Sequence, residues 1–233
     1  MRLVTILNFY NKLFHYLYFD NHRNFRSKII KINKDKDKNF YDYGESFFYQ
    51  SVPDINLRGL RNTKKRIEKL NLNKYLYDKV VLDIGTNIGA IPITTNQVFK
   101  KCLGIDHNID AIKIALELKK YLQLNKIEFF TCDFLEHNFD EKFDVILSLA
   151  NHSTFDKGIK DTNKYLKKIS DILNTDGILV FESHSPLYED PKSYLKLVEQ
   201  LKKNFKVIET GKYEFGNFYD KNRIFYILKK VTN

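Results

Sequence analysis

Tryptophan is absent from this chain of 233 residues and methionine occurs once, while Lys, Asn, Ile, Phe and Tyr are heavily used. That skew reflects coding bias and carries no chemistry. Cysteine is scarce as well: Cys102 and Cys132 are the only two thiols. They stand too far apart in sequence for a zinc knuckle, and two thiols make no disulfide framework. A reducing cytoplasm is therefore the expected compartment. Long apolar runs are missing too. No stretch reaches the roughly 18 apolar residues that a membrane-spanning helix needs. Leu3 to Phe19 comes nearest, but Asn8, Asn11, Lys12 and His15 interrupt it. It also lacks a small-residue cleavage site and makes a poor signal peptide.

The length suits one α/β domain with a buried sheet and a short N-terminal extension. A hydrophobic content of 43% beside a charged content of 29% describes a folded soluble chain and excludes a disordered one. Net charge is +10, from 39 basic and 29 acidic residues. Such a surface attracts phosphate, whether in RNA, a nucleotide-linked sugar or a membrane. The lysines are spread without a long basic block, so a solvated face is the first expectation.

Residues 1–45 read as a basic helical extension and residues 46–233 as the main domain. In the extension, Leu3, Ile6, Leu7, Tyr10, Leu13, Phe14 and Leu17 recur at helical spacing. A helix packed on the main domain or on a second subunit is the first reading. The sharper one is a membrane-surface helix, since Arg2, Lys12, Arg23, Arg26 and Lys28 add positive charge. It would place a cytoplasmic protein at the inner face of the membrane. Asn33 to Asn39, alternating Lys and Asp, reads as a solvated linker.

Residues 46–78 read as a loop and then a helix over Lys64 to Leu72, preceded by Asn62-Thr63. From there strands and helices alternate, the pattern of a parallel sheet with crossover helices. The expected strands are Val80–Ile84, Cys102–Ile105, Ile127–Thr131, Phe143–Leu149, Gly177–Glu182, Lys206–Thr210 and Arg223–Lys229. The expected helices are Ile88–Phe99, Ile109–Leu122, Thr162–Leu173 and Ser193–Asn204. Only a loop separates the last two strands, which allows an antiparallel pair.

Five motifs follow one another at domain spacing. Val80-Val81-Leu82-Asp83-Ile84-Gly85-Thr86-Asn87-Ile88-Gly89 is a strand entering a glycine turn. A glycine at a strand end lets backbone approach a ligand. Asn87 stands where a middle glycine is usual, and Asn tolerates left-handed backbone. Next, Gly104-Ile105-Asp106 ends the second strand with an acid placed to accept both ribose hydroxyls of an adenosine. A dinucleotide site would show the same acid but would carry Gly-x-Gly-x-x-Gly for the pyrophosphate, which is missing here. Cys132-Asp133-Phe134 closes the third strand. There an acid can accept the adenine amino group, and the next backbone N–H can reach a ring nitrogen. Phe143-Asp144-Val145-Ile146 opens the fourth strand, with Leu149 near the adenine face. Leu173-x3-Gly177-x-Leu179-Val180 turns into the fifth.

With these motifs the chain resembles the class I S-adenosylmethionine (SAM) dependent methyltransferases over roughly residues 47–231. The resemblance implies a Rossmann-like sheet of seven mostly parallel strands with the last antiparallel. It implies SAM as cofactor, over the strand ends beside Gly85, Asn87 and Gly89. Asp83 would orient the glycine loop, Asp106 hold the ribose, and Asp133 with Phe134 read adenine. Upstream, Tyr49-Gln50-Ser51 followed by Arg61-x4-Arg66 is similar to methyltransferases of bacterial surface-polysaccharide synthesis. That likeness implies Tyr49 and Gln50 covering SAM and Arg66 pairing its carboxylate.

Methyl transfer to a hydroxyl needs alignment and a general base. Two polar clusters follow the fourth and fifth strands: Ala150-Asn151-His152-Ser153-Thr154 and Glu182-Ser183-His184-Ser185. His152 and His184 are the candidate bases, with Glu182 as a third candidate catalytic group. A metal held by His152, His184, Glu182 and Asp156 is not expected, since magnesium prefers oxygen ligands. The first functional expectation is O-methylation of a sugar hydroxyl on a phosphate-bearing small molecule or glycan. A tRNA or rRNA methyltransferase is the alternative favoured by charge. No Asp-Pro-Pro-Tyr or Asn-Pro-Pro-Tyr follows the fourth strand, and neither cysteine sits where a C5-methylase nucleophile would, so bulk nucleic acid is not the expected partner. A non-catalytic SAM-binding scaffold is the third reading.

Overall fold

The computed structural model describes residues 17–34, 48–151, 161–183, 191–213 and 223–231, with positions 6, 9, 10, 13 and 14 before them. Five parallel strands form the centre: β3 (Val80–Ile84), β4 (Lys101–Asp106), β5 (Ile127–Thr131), β6 (Phe143–Leu149) and β7 (Leu173–Glu182). They follow two short strands, β1 (Phe48–Gln50) and β2 (Gly59–Arg61), which pair parallel as a separate ribbon. Two further strands, β8 (Phe205–Tyr213) and β9 (Arg223–Lys230), complete the main sheet. Its order is β5-β4-β3-β6-β7-β9-β8, and β9 runs antiparallel to both neighbours. This is the expected Rossmann-like sheet of seven strands with an antiparallel last strand.

Helices cover both faces: α1 (Arg23–Lys34), α2 (Thr63–Lys69), α3 (Leu72–Leu76), α4 (Ala90–Thr94), α5 (Ile109–Tyr121), α6 (Thr162–Ile172) and α7 (Pro191–Asn204). One apolar cluster joins Val81, Val145 and Val180 of the sheet to Ala115 and Leu118 of α5 and to Ile29 of α1. The other joins Leu82, Ile146 and Phe181 to Tyr165 and Ile169 of α6 and Leu201 of α7. The continuous apolar character of β3 and β6 is what burial on both faces requires.

The structure differs from the sequence reading at the β1–β2 ribbon, where a loop is expected, at the start of β7, which is Leu173 and not Gly177, and in three helical segments. α1 runs to Lys34, so Asn33 is a buried helical residue and not the start of a linker. The expected helix over Lys64 to Leu72 is two helices, α2 and α3, broken at Asn71, whose backbone is left-handed (φ 48°). Asn62 caps α2 by accepting from the Lys65 N–H at 3.1 Å. The expected helix Ile88–Phe99 shrinks to α4. Beyond it, the Thr95 hydroxyl folds back on the Ile91 carbonyl at 2.8 Å, a local bond that competes with helix continuation. Among the described residues, no helix is long and apolar enough to cross a membrane.

Candidate cofactor and acceptor site

Parallel strands bring their C-terminal ends to one edge, where open α/β sheets bind ligands. Here that edge carries Asp83 and Gly85 from β3, Asp106 from β4, Asp133 after β5, Leu149 and Asn151 at β6, and Glu182 at β7.

The turn after β3 is tied down by backbone. The Gly85 and Thr86 N–H groups both donate to the Ile105 carbonyl at 2.9 Å, and the Asn87 N–H donates to Asp106 Oδ2 at 2.8 Å. Gly85 (φ 70°), Asn87 (φ 55°) and Gly89 (φ 74°) are all left-handed. A side chain at Gly85 would not open onto free space. Its Cβ would meet Asn151 Nδ2 at 2.9 Å and Cβ at 3.0 Å, and a Cβ at Gly89 would meet the Phe129 ring at 2.4 Å. Both glycines thus serve backbone conformation and internal packing.

Inside the turn, the Thr86 hydroxyl donates to Asp83 Oδ2 at 2.7 Å. Burial pushes the Asp83 carboxyl up to about 7, against the Thr86 bond and the Arg66 charge, which pull it down. Asp106 is also raised, chiefly by burial, with the Asn108 and Asn87 backbone bonds opposing. Its Oδ1 accepts from the Asn108 N–H at 2.9 Å. Asp106 thus accepts the Asn87 N–H on one oxygen and the Asn108 N–H on the other, with the His107 N–H also bonded to the carboxylate. A carboxylate has about four lone-pair sites, which leaves it acceptor capacity for a ribose hydroxyl.

Asp133 Oδ1 accepts from the Leu135 N–H at 2.8 Å. The Phe134 ring is core, set edge-on to Tyr165 at 5.2 Å between centroids. Leu149 is buried. On the β1–β2 ribbon, the Arg61 guanidinium lies 4.0 Å over the Tyr49 ring. Gln50 is 5% exposed, and among the described residues its Oε1 has no hydrogen-bond partner. A buried acceptor in that state fits a ligand donor.

The sequence did not reveal what surrounds Glu182. Arg66 Nε donates to Glu182 Oε2 at 2.8 Å, and its Nη2 stands 2.8 Å from the same oxygen. Arg223 Nη1 donates to Glu182 Oε1 at 2.9 Å and to the Ser183 carbonyl at 3.0 Å. Both carboxylate oxygens are thus held by guanidinium groups, and all three side chains are buried. Nor was Asn151 singled out beyond its cluster. Its Nδ2 donates to the Ile84 carbonyl, and its Oδ1 accepts from Ser148 Oγ at 2.7 Å and Tyr165 Oη at 3.3 Å. It bolts the end of β6 to the end of β3. His152, Asp156 and His184 lie outside the described residues. Among the described residues, no cluster of His, Cys, Asp and Glu has the makings of a metal site.

Residues 77–231 match the family described as a methyltransferase domain. Among curated proteins, the chain is 32% identical over 108 residues to a release factor glutamine methyltransferase of Buchnera aphidicola subsp. Schizaphis graminum, covering 46% of this chain and 36% of that one. It is 32% identical over 107 residues to (S)-coclaurine N-methyltransferase of Papaver somniferum, covering 44% of this chain and 28% of that one. The chain thus spans about a third of the length of these relatives. Among solved structures, N-methyltransferase NodS from Bradyrhizobium japonicum WM9 in complex with S-adenosyl-L-homocysteine superposes with a TM-score of 0.61 at 18% identity, covering 72% of this chain and 87% of that one.

Proposed function

This chain belongs to the methyltransferase-domain family, and from that premise we propose that it moves a methyl group from SAM to a hydroxyl of a phosphate-bearing sugar or glycan precursor. The cofactor is S-adenosylmethionine. Bound, it supplies an electrophilic methyl on a sulfonium.

The observation that carries the cofactor assignment is Asp106, locked beside the glycine turn by backbone N–H groups of Asn87, His107 and Asn108. Asp106 would accept the ribose hydroxyls. Asp133 and the Phe134 backbone would read adenine, with Leu149 against its face. Gln50 Oε1 would accept from the cofactor, and Tyr49, held by Arg61, would cover it. Asp83 fixes the turn through Thr86. Arg66 would add positive charge near the cofactor carboxylate while its guanidinium holds Glu182. With both oxygens engaged by arginine, Glu182 is better suited to positioning than to taking a proton. That leaves His152 or His184 as the base for a hydroxyl acceptor.

A sugar hydroxyl is supported by the Tyr49-Gln50 and Arg61/Arg66 pattern and by two histidines following adjacent strand ends. A nitrogen acceptor is the second reading, favoured by the relatives named for N-methylation. The test is transfer of labelled methyl from SAM into nucleotide sugars, surface polysaccharide, small amines and total RNA. Label in sugars, lowered roughly 10²-fold by His152→Ala or His184→Ala with SAM affinity intact, supports the first reading. Label only in amines supports the second, and label only in RNA overturns both.

A further inference from the structure

The first 34 residues contain seven Lys and Arg against a single acid, Asp20, so they carry a net +6 of the chain's +10. That acid is already neutralised. Both its oxygens take Arg26 Nη1, at 2.6 and 2.7 Å, and one also takes Asn56 Nδ2 at 2.8 Å. Arg26, fully buried, also bonds the Tyr18 and Ile55 carbonyls at 3.0 Å. Phe25 stacks on Tyr121 at 3.8 Å between centroids, and Lys28 pairs Glu117 at 2.6 Å. The base of the extension is therefore fastened to the domain at two places.

Above that base lies an apolar face. Positions 6, 9, 10, 13, 14 and 17 are helical, and every one is apolar or aromatic. Spacings of three and four set them on one side. Among the described residues, much of this surface is exposed: Phe9, Tyr10, Leu13, Leu17, Tyr18 and Phe19 leave between 41% and 74% of their surface in water. Cations sit at the level of the rings, with the Arg58 guanidinium 3.4 Å over Phe14 and Arg23 4.2 Å over Phe19.

We propose that this face is a docking surface for an anionic lipid bilayer. Phe9, Leu13, Leu17 and Phe19 would enter the boundary between headgroups and acyl chains, while Arg23 and Arg58 meet lipid phosphates. Exposed aromatic and aliphatic groups flanked by cations are the composition an interfacial helix needs. A second copy of the chain is a poorer occupant, because it would set +6 against +6. Nucleic acid shares the phosphate and could stack on the exposed rings, but it would leave Leu13 and Leu17 in water, whereas a bilayer takes up the aliphatic and aromatic groups together. The proposal does not depend on the methyl-transfer reading.

The test is co-sedimentation of the full chain with vesicles of phosphatidylcholine alone or mixed with phosphatidylglycerol. The expected result is binding to the anionic vesicles only, weakened by salt. The double variant Phe9→Ser/Phe19→Ser should bind at least about tenfold more weakly, since each ring buries appreciable apolar area. Its melting temperature should be unchanged, because both rings are exposed. No binding to anionic vesicles, equal binding to both lipids, or a variant that binds like the parent would overturn the proposal. So would a concentration-dependent dimer, or tight RNA binding, that the double variant abolishes while vesicles are ignored.

Discussion

Arg66 and Glu182 lie 116 residues apart in sequence and meet at 2.8 Å with no exposure to solvent on either side chain. Arg223 closes the arrangement from the other carboxylate oxygen at 2.9 Å. The three residues tie α2 to the ends of β7 and β9. Removing the shared anion leaves two buried cations without it. Glu182→Ala should therefore cost about 3–5 kcal/mol of stability, read by urea denaturation. Glu182→Gln keeps the shape and should cost less. A loss below about 1 kcal/mol for the alanine variant would mean that water reaches both arginines and the network is not a dry one.

Asp83 gives the pH dependence. Its carboxyl is raised from 3.8 to about 7, first by burial and next by the nearby Asp106 charge, with Thr86 and Arg66 opposing. In the folded state it therefore binds a proton that the unfolded chain releases at lower pH. Its contribution is fully present below the unfolded value and is lost as pH rises towards 7. Asp83→Asn, which can still accept from Thr86, should lack that loss. Denaturation at intervals between pH 5 and 8 should show parent minus variant stability falling as pH rises. A difference flat across that window would place the titration elsewhere.

Gly85 and Asn151 should be energetically coupled. An added methyl at Gly85 meets the Asn151 side chain at 2.9–3.0 Å, and the left-handed backbone adds a penalty of roughly 1–2 kcal/mol. Asn151→Ala alone strips a donor from the Ile84 carbonyl and an acceptor from Ser148 and Tyr165. That should cost about 1–3 kcal/mol. The alanine removes the Nδ2 contact at 2.9 Å and keeps the Cβ contact at 3.0 Å, so it relieves part of the clash, and Gly85→Ala/Asn151→Ala should cost somewhat less than the two single losses together. Strict additivity in denaturation experiments would show that the Asn151 amide plays no part in the cost at Gly85.

The sheet was largely legible in the sequence, and the reason is local. Val80–Ile84, Ile127–Thr131 and Phe143–Leu149 are short apolar runs bounded by polar or glycine residues, and they form strands over those same residues. The β1–β2 ribbon escaped because three-residue strands hold no periodicity to read. α4 was overextended because apolar spacing continues past Thr94, whereas the Thr95 hydroxyl turns back on the chain. The Arg66–Glu182–Arg223 network left no trace at all. Its partners are separated by 116 and 41 residues, and a buried arginine looks like a surface one until its counter-ion is found.

The cofactor assignment rests most directly on Asp106, and its affinity contribution can be isolated. The carboxylate already accepts from the Asn87 and Asn108 N–H groups, so it is fixed before any ligand arrives. Ribose hydroxyls would meet it without reorganisation. Hydrogen bonds to a charged acceptor contribute roughly 1.5–3 kcal/mol each. Asp106→Ala should therefore weaken SAM binding by at least about tenfold in calorimetry. It also frees the Asn87 N–H, so some of the loss could come from a loosened turn. Asp106→Asn separates the two effects: its amide oxygen can still accept one backbone N–H, but the charge and half the acceptor capacity are gone. If the ribose contact matters, the asparagine variant should lose SAM affinity as the alanine variant does, while its melting temperature falls less, since one of the two backbone N–H groups keeps its acceptor. An asparagine variant that binds SAM like the parent, or a parent that binds a nicotinamide dinucleotide in preference to SAM, would defeat the assignment of Asp106 to the ribose.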